Sequence, residues 1–272
     1  MRLIHSESHP GTRSETRSEI HPGPQPETRS EPSAEIDLAR LYAYPAGPCV
    51  RINMVASADG GSWLDGLSGG LSGRGDRKVF GVLRGLADVV LAGAATVRAE
   101  GYGPARPRES WRALRAGRPA APPVAVVTRG LDLDLTGPLF TETAPEARTI
   151  VVTCEAAPPE RRAEAARHAE VVLAGGDRVD PALAVKELAE RGLTRVLCEG
   201  GPKINAQLAA AGLVDELCLT VSPLLIGGDA ARVLDGPSSH TPLRLAHVLE
   251  EEGFLFLRYV RRSGPLREDG DG

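Results

Sequence analysis

Thr194-Arg195-Val196-Leu197-Cys198-Glu199-Gly200-Gly201-Pro202-Lys203-Ile204-Asn205 is the stretch on which the fold turns. A short apolar run reads as a strand, two glycines break it, and a proline follows where a helix would begin. Proline suits the first helical position, because its missing N–H would have no partner there. Backbone amides at such a helix start, with no Cβ in the way, can cradle a phosphate. An ordinary tight strand-to-helix connection explains Gly200, Gly201 and Pro202 equally well. Glu199 favours a site, because a carboxylate at the end of a buried strand is costly without a partner.

Outward from this stretch the same alternation repeats. Short β-branched runs occur at 50–56, 89–92, 124–128, 149–153, 171–173, 195–198, 216–221 and 254–260. Several lack a period of two, which predicts strands covered on both faces. Amphipathic helical patterns lie between most of them, at 76–87, 159–168, 181–191 and 203–211. This predicts an α/β protein of three layers, helices on both sides of a mostly parallel sheet. The last two strands are joined by Gly- and Pro-rich sequence instead of a helix, so the sheet is expected to be mixed and to end in an antiparallel pair.

Two further strand ends carry polar residues. In Arg51-Ile52-Asn53-Met54-Val55-Ala56-Ser57-Ala58-Asp59-Gly60-Gly61 the Ser-x-Asp-Gly segment is explained by turn chemistry alone. Turn chemistry does not explain Asn53 inside an apolar run. In the segment from Ala87 to Glu100, Thr96 is placed either to cap a short helix or to touch a phosphate. Gly101-Tyr102-Gly103-Pro104-Ala105-Arg106 starts like a dinucleotide fingerprint but ends in Arg and follows no strand, and no Walker lysine motif is present. His168-Ala169-Glu170 matches the start of a zinc deaminase motif, but its Pro-Cys-x-x-Cys partner is missing. His168 is read as a helix-end residue.

Composition sets the outer bounds. The chain has 272 residues, 42 % of them hydrophobic and 25 % charged, which excludes a collagen-like or largely disordered chain. A formal charge of −4 argues against a nucleic-acid partner. Only Lys78, Lys186 and Lys203 of the 32 basic residues are lysines, and the arginines that make up the rest suit local phosphate or carboxylate sites. Four scattered cysteines without metal spacing predict a reduced cytoplasmic protein with no metal. No membrane span and no secretion signal are read. Residues 1–34 contain a twelve-residue unit, seen as His9-Pro10-Gly11 and again as His21-Pro22-Gly23, with little apolar content. The expected organisation is a disordered tail at 1–34, one domain at 35–262 and a second tail at 263–272.

Taken in order, these elements resemble the pyrimidine reductase family of riboflavin biosynthesis, which comprises the reductase domain of a bifunctional deaminase/reductase and its stand-alone relatives. The resemblance rests on Ser57-Ala58-Asp59-Gly60, Leu83-Arg84-Gly85-Leu86-Ala87-Asp88, Ala95-Thr96-Val97, Glu199-Gly200-Gly201-Pro202, and 213–217 running on to 222–228. It spans about residues 48–262 and implies a dihydrofolate-reductase-like fold, usually dimeric. It also implies NADPH as hydride donor to 5-amino-6-(5-phosphoribosylamino)uracil, with no deaminase activity in this chain. By position, Thr96, Glu100, Thr128, Arg129, Gly200, Gly201 and Pro202 would contact the cofactor. Asn53, Ser57 and Arg84 would contact the substrate, and Asp59 and Glu199 would be catalytic.

Three positions depart from the family pattern. Gly61 stands where Lys or Arg is common, Leu71 where Trp is common, and Glu100-Gly101 where an Asp pair is common. Trp63 and Arg74 are candidates to compensate. The alternatives that follow are an NADPH-dependent reductase of another substrate such as dihydrofolate, and a non-catalytic NADPH-binding protein.

Overall fold

The computed structural model describes residues 1–6 and 36–262. Among them run strands β1 (Arg2–Ser6), β2 (Cys49–Ser57), β3 (Val89–Gly93), β4 (Val124–Val127), β5 (Ile150–Thr153), β6 (Glu170–Leu173), β7 (Arg195–Cys198), β8 (Glu216–Ser222), β9 (Leu243–Glu251) and β10 (Phe254–Arg261). The helices are α1 (Leu38–Leu41), α2 (Arg74–Leu86), α3 (Ala94–Ala99), α4 (Pro138–Thr141), α5 (Pro159–His168), α6 (Pro181–Glu190) and α7 (Pro202–Ala210). All ten strands form one sheet in the order β1-β9-β10-β8-β2-β7-β3-β4-β5-β6. From β8 to β6 neighbours run parallel, whereas β8, β10, β9 and β1 are antiparallel. The mixed three-layer fold expected from the sequence is therefore present.

The parallel strands are apolar on both faces because both faces are covered. Val90, Ala92, Val126 and Val151 pack with Val79 and Leu83 of α2 and Ala165 of α5. Their neighbours Val89, Leu91, Ala125 and Val152 pack with Leu188 of α6 and Leu208 of α7. Val79 and Leu83 are one helical turn apart, so a single stripe of α2 enters the core. Leu83 is fully buried, and truncation to Ala there costs about 2–5 kcal/mol.

The antiparallel unit corrects two expectations. A strand, β9, occupies the last part of what reads as connecting sequence before β10. Glu252 and Gly253 both have positive φ, 56° and 82°, which makes a primed hairpin turn. Glu-Gly lacks the Asn-Gly signature of such turns, so the hairpin was hidden. The expectation of an unstructured start is also corrected, because Arg2–Ser6 adds to the sheet edge beside β9. The rest of the expected N-terminal tail, with the repeat, and the tail at 263–272 lie outside the described residues.

Along β8, buried and half-buried residues alternate. Glu216, Cys218, Thr220 and Ser222 face α2, while Leu217, Leu219 and Val221 lie on the opposite face with Leu255, Leu257, Tyr259 and Val248 beside them in register. That second face is apolar and only half buried.

Candidate active site

A cleft of about 780 Å³ opens at the carboxyl ends of β2, β3 and β7, walled by α2, α3, the start of α7 and the segment after β2. Ligands of open α/β sheets collect at such strand ends. The turn after β7 forms one side. Glu199 N–H donates to Leu91 O at 2.9 Å, and Gly93 N–H donates to Gly200 O at 2.8 Å, so the turn is fastened to β3. Gly200 has φ +92°, a conformation that favours glycine. A Cβ on Gly201 would collide with the Thr96 hydroxyl, so the two chain segments meet at a distance only glycine permits. Pro202 opens α7, and Lys203 follows in its first turn. Gly201, Pro202, Lys203 and Thr96 all line the cleft.

Glu199 and Arg84 form the centre of the cleft. The guanidinium donates from Nε to Oε1 at 2.7 Å and from Nη2 to Oε2 at 2.6 Å. Tyr102 O–H donates to Oε2 at 2.8 Å. Arg84 also lies over the Phe80 ring, 4.4 Å from its centroid. Burial opposes the Arg84 charge, but the Glu199 carboxylate outweighs it and holds the guanidinium in its charged form. Burial and the Glu199 charge push the Tyr102 phenol well above its ordinary value, which keeps its proton in place. The Nη1 nitrogen of Arg84 has no acceptor among the described residues, so the pair keeps one donor for a ligand.

The expected site residues divide into two groups. Asn53, Arg84, Thr96, Glu100, Glu199, Gly201 and Pro202 line the cleft, with Gly200 in the turn beneath. Glu100 accepts the Ser68 N–H at 2.8 Å and so holds the segment after β2 against the cleft. The other group lies outside the cleft lining. Ser57 O–H donates to Asp59 at 2.5 Å, and Asp59 accepts Gly227 N–H at 2.7 Å and Ile226 N–H at 3.3 Å. The Ser57 hydroxyl, then those amides, lower the Asp59 carboxyl to about 2. Asp59 thus fastens the loop that carries Ile226 and Gly227. Thr128 accepts Leu131 N–H at 3.0 Å, and Arg129 donates to Asp177 O at 3.0 Å.

Gly61 has a local reason. A Cβ there would meet Ile226 Cδ1 and Ala230, so the loop held by Asp59 fills the space a longer residue would need. Trp63 lines the cleft as a compensating side chain could, whereas Arg74 does not. Sequence reasoning missed Tyr102, Arg77, Phe80 and Asp76 as lining residues. The one available signal was Tyr102, an aromatic set between two glycines just after a short helix. Among the described residues no group of His, Cys, Asp and Glu could hold a metal ion, and no helix is long and apolar enough to cross a membrane.

The model of the RibD C-terminal domain family matches residues 48–252. A 2,5-diamino-6-ribosylamino-4(3H)-pyrimidinone 5′-phosphate reductase from Methanothermobacter thermautotrophicus is 35% identical over 190 residues, covering 70% of this chain and 84% of that protein. A reductase of the same name from Archaeoglobus fulgidus is 30% identical over 195 residues, covering 70% and 88%. The crystal structure of a pyrimidine reductase-like protein from Corynebacterium diphtheriae superposes with a TM-score of 0.73 at 28% identity, covering 80% of this chain and 93% of that one.

Proposed function

The chain belongs to the RibD C-terminal domain family, and on that premise we propose that it is an NADPH-dependent reductase of a ribosylaminopyrimidine 5′-phosphate. The observation that carries this reading is one cleft that joins a helix start suited to phosphate with the Arg84–Glu199 pair. NADPH fits the residues present. The start of α7 carries a partial positive charge, Lys203 adds a full one, and glycine at 201 keeps the backbone open beside the Thr96 hydroxyl. These groups would hold the pyrophosphate, and Thr128 and Arg129, at the end of β4, would serve the adenosine end. Bound there, the nicotinamide supplies a hydride.

The reaction assigned is reductive opening of the sugar. The anomeric carbon gains hydride, its bond to the ring oxygen breaks, and that oxygen takes a proton, giving a ribityl chain and oxidised cofactor. The protein's part is mainly orientation. Arg84 fixes the Glu199 carboxylate, Tyr102 holds its second oxygen, and Arg84 Nη1 faces the ligand. Lining the cleft on α2, Arg77 has no protein partner among the described residues, and Arg106 has only the exposed Glu142 at 2.7 Å. Both would receive the sugar phosphate. With Asp59 committed to its loop, water is the proton source.

Two rings are in question, and they differ at position 2. The uracil implied by the sequence resemblance carries an oxo group there, while the substrate named for the archaeal relatives carries an amino group. Those names favour the diaminopyrimidinone as the preferred substrate. We also propose a homodimer through the half-buried face of β8, β10 and β9, where Leu219, Leu257 and Val248 stand in one row.

The test is to mix the full chain with NADPH and each ring in turn and follow cofactor absorbance. Turnover of either ring supports the reading. NADPH binding without turnover of either would overturn the substrate, and no binding would overturn the cofactor. Gly201→Glu should abolish NADPH affinity, and unchanged affinity would move the pyrophosphate elsewhere.

A further inference from the structure

Two polar side chains on the α2 side of the cleft have no part in the scheme above. Asn53 sits in β2 at 8% exposure, among apolar neighbours, and lines the cleft. Its amide has no hydrogen-bond partner among the described residues. The residue lines the cleft, so its amide is open to a ligand there, and it can both donate and accept. Asp76 lies in the first turn of α2 at 9% exposure and also lines the cleft. The Ser72 hydroxyl donates to its Oδ2 at 2.6 Å and the Thr220 hydroxyl to its Oδ1 at 2.7 Å.

The contrast with Glu199 is informative. Glu199 is neutralised by Arg84, whereas no guanidinium or ammonium pairs with Asp76 among the described residues. A position in the first turn of a helix accounts for a negative charge there. It does not account for the cleft contact, nor for two hydroxyls that fix the plane of the carboxylate and leave each oxygen one lone pair. Register places the two side chains on one face of the sheet. Asn53 stands opposite Cys218 and Val55 opposite Thr220, so the hydroxyl that orients Asp76 rises from the same face of the sheet as the Asn53 amide.

We infer that Asn53 and Asp76 read the edge of a 2-amino-4-oxopyrimidine ring. Such a ring presents two parallel donors, the N3–H and the 2-amino group, and these match a carboxylate, which only accepts. Beside them the 4-oxo group accepts from the Asn53 amide. A uracil ring presents N3–H flanked by two oxo groups, so one Asp76 oxygen would face a carbonyl lone pair. The inference rests on the proposed reductase reading and narrows it to the amino ring. Ribosylaminopyrimidinone phosphates and pterins share that edge, and only the first also carries a phosphate for Arg77 and Arg106.

The experiment measures binding of both riboside phosphates, and of dihydrofolate, to the full chain with NADP present, by calorimetry. Wild type should bind the 2-amino ring at least about tenfold more tightly than the 2-oxo ring. Asp76→Asn should erase that preference by weakening the amino ring alone. Asn53→Ala should weaken both rings alike, since both carry the 4-oxo group. Thermal melts verify that each variant is folded. Equal affinities in wild type, or a preference that survives Asp76→Asn, would overturn the inference. Turnover tests the reductase reading separately. Preference without turnover of either phosphate breaks the reductase reading and leaves the ring edge standing, while turnover without preference does the reverse. Dihydrofolate bound with the same sensitivity to Asp76→Asn, and reduced where the phosphates are not, would identify the pterin as the source of the ring.

Discussion

Two buried arginine–glutamate pairs hold this molecule, and they differ in what lies on their open side. Arg51 and Glu216 face each other in register between β2 and β8, at 0% and 2% side-chain exposure. Arg51 Nε donates to Glu216 Oε2 at 2.7 Å and Nη1 to Tyr42 O at 2.7 Å, and the Tyr44 ring covers the guanidinium at 3.8 Å. Arg258 adds a second cation, with Nη2 2.6 Å from Glu216 Oε1. Every side of that pair is protein. The Arg84–Glu199 pair has comparable donor geometry, but it faces the cleft and leaves Nη1 without an acceptor. Similar chemistry is thus enclosed by protein in one pair and lines a cleft in the other.

The largest effect that could break this contrast is Glu216→Ala. It leaves two guanidiniums uncompensated and should cost about 3–5 kcal/mol in chemical denaturation. If Glu199→Ala cost as much, the division into scaffold and site would fail. Next comes Glu199→Gln, which should lower reductase turnover about a hundredfold through misplacement of the substrate, while stability falls clearly less than for Glu216→Ala. Steady-state kinetics beside melts of the same preparation check both halves.

A smaller effect separates the two regions by pH. His247 packs edge-on against Tyr42, with ring centroids 4.8 Å apart, and pairs in register with Arg258. Burial first, then the charges of Arg258 and Arg51, lower it from 6.5 to about 4. Its neutral form belongs to the fold, so the stabilisation is complete above pH 6.5 and is lost as pH falls through 4. Thermal melts should show a declining Tm over that window, and His247→Phe should flatten it. An unchanged slope would place the titration elsewhere.

The smallest effect is at Asp59, where an exposed carboxylate is screened by solvent. Its value is lowered from 3.8 to about 2, so its contribution is present above pH 3.8 and lost as pH falls through 2. The Tm gap between wild type and Asp59→Asn should be small at neutral pH and vanish near pH 2. Turnover should be retained. A collapse of turnover in that variant would return Asp59 to the chemistry.

What was legible in the sequence was local. The Gly-Gly-Pro turn, Thr96 and Asn53 stand out because each breaks a pattern within a few residues, and each lines or adjoins the cleft. Arg84 was readable as part of an anion site, but its partner Glu199 lies 115 residues away and no local signal connects them. β9 was obscured because Glu252-Gly253 makes a primed turn without the usual residues. β1 was obscured because Arg2 finds Glu250 across 248 residues. No local signal shows that Asp59 accepts the Ile226 and Gly227 amides, which lie more than 160 residues away.

The sequence by itself determined the strands of the parallel half and the longer helices between them, that those strands are covered on both faces, and that a helix starts on glycines after β7. Those properties follow from periodicity, backbone sterics and capping, which act over one or two turns of chain. Only the tertiary structure decided which carboxylate neutralises which arginine, which polar groups are left facing a cavity, and that Asp76 and Asn53 line the same cleft. Ion pairing and desolvation depend on distances set by strand order, and strand order joins residues a hundred or more positions apart.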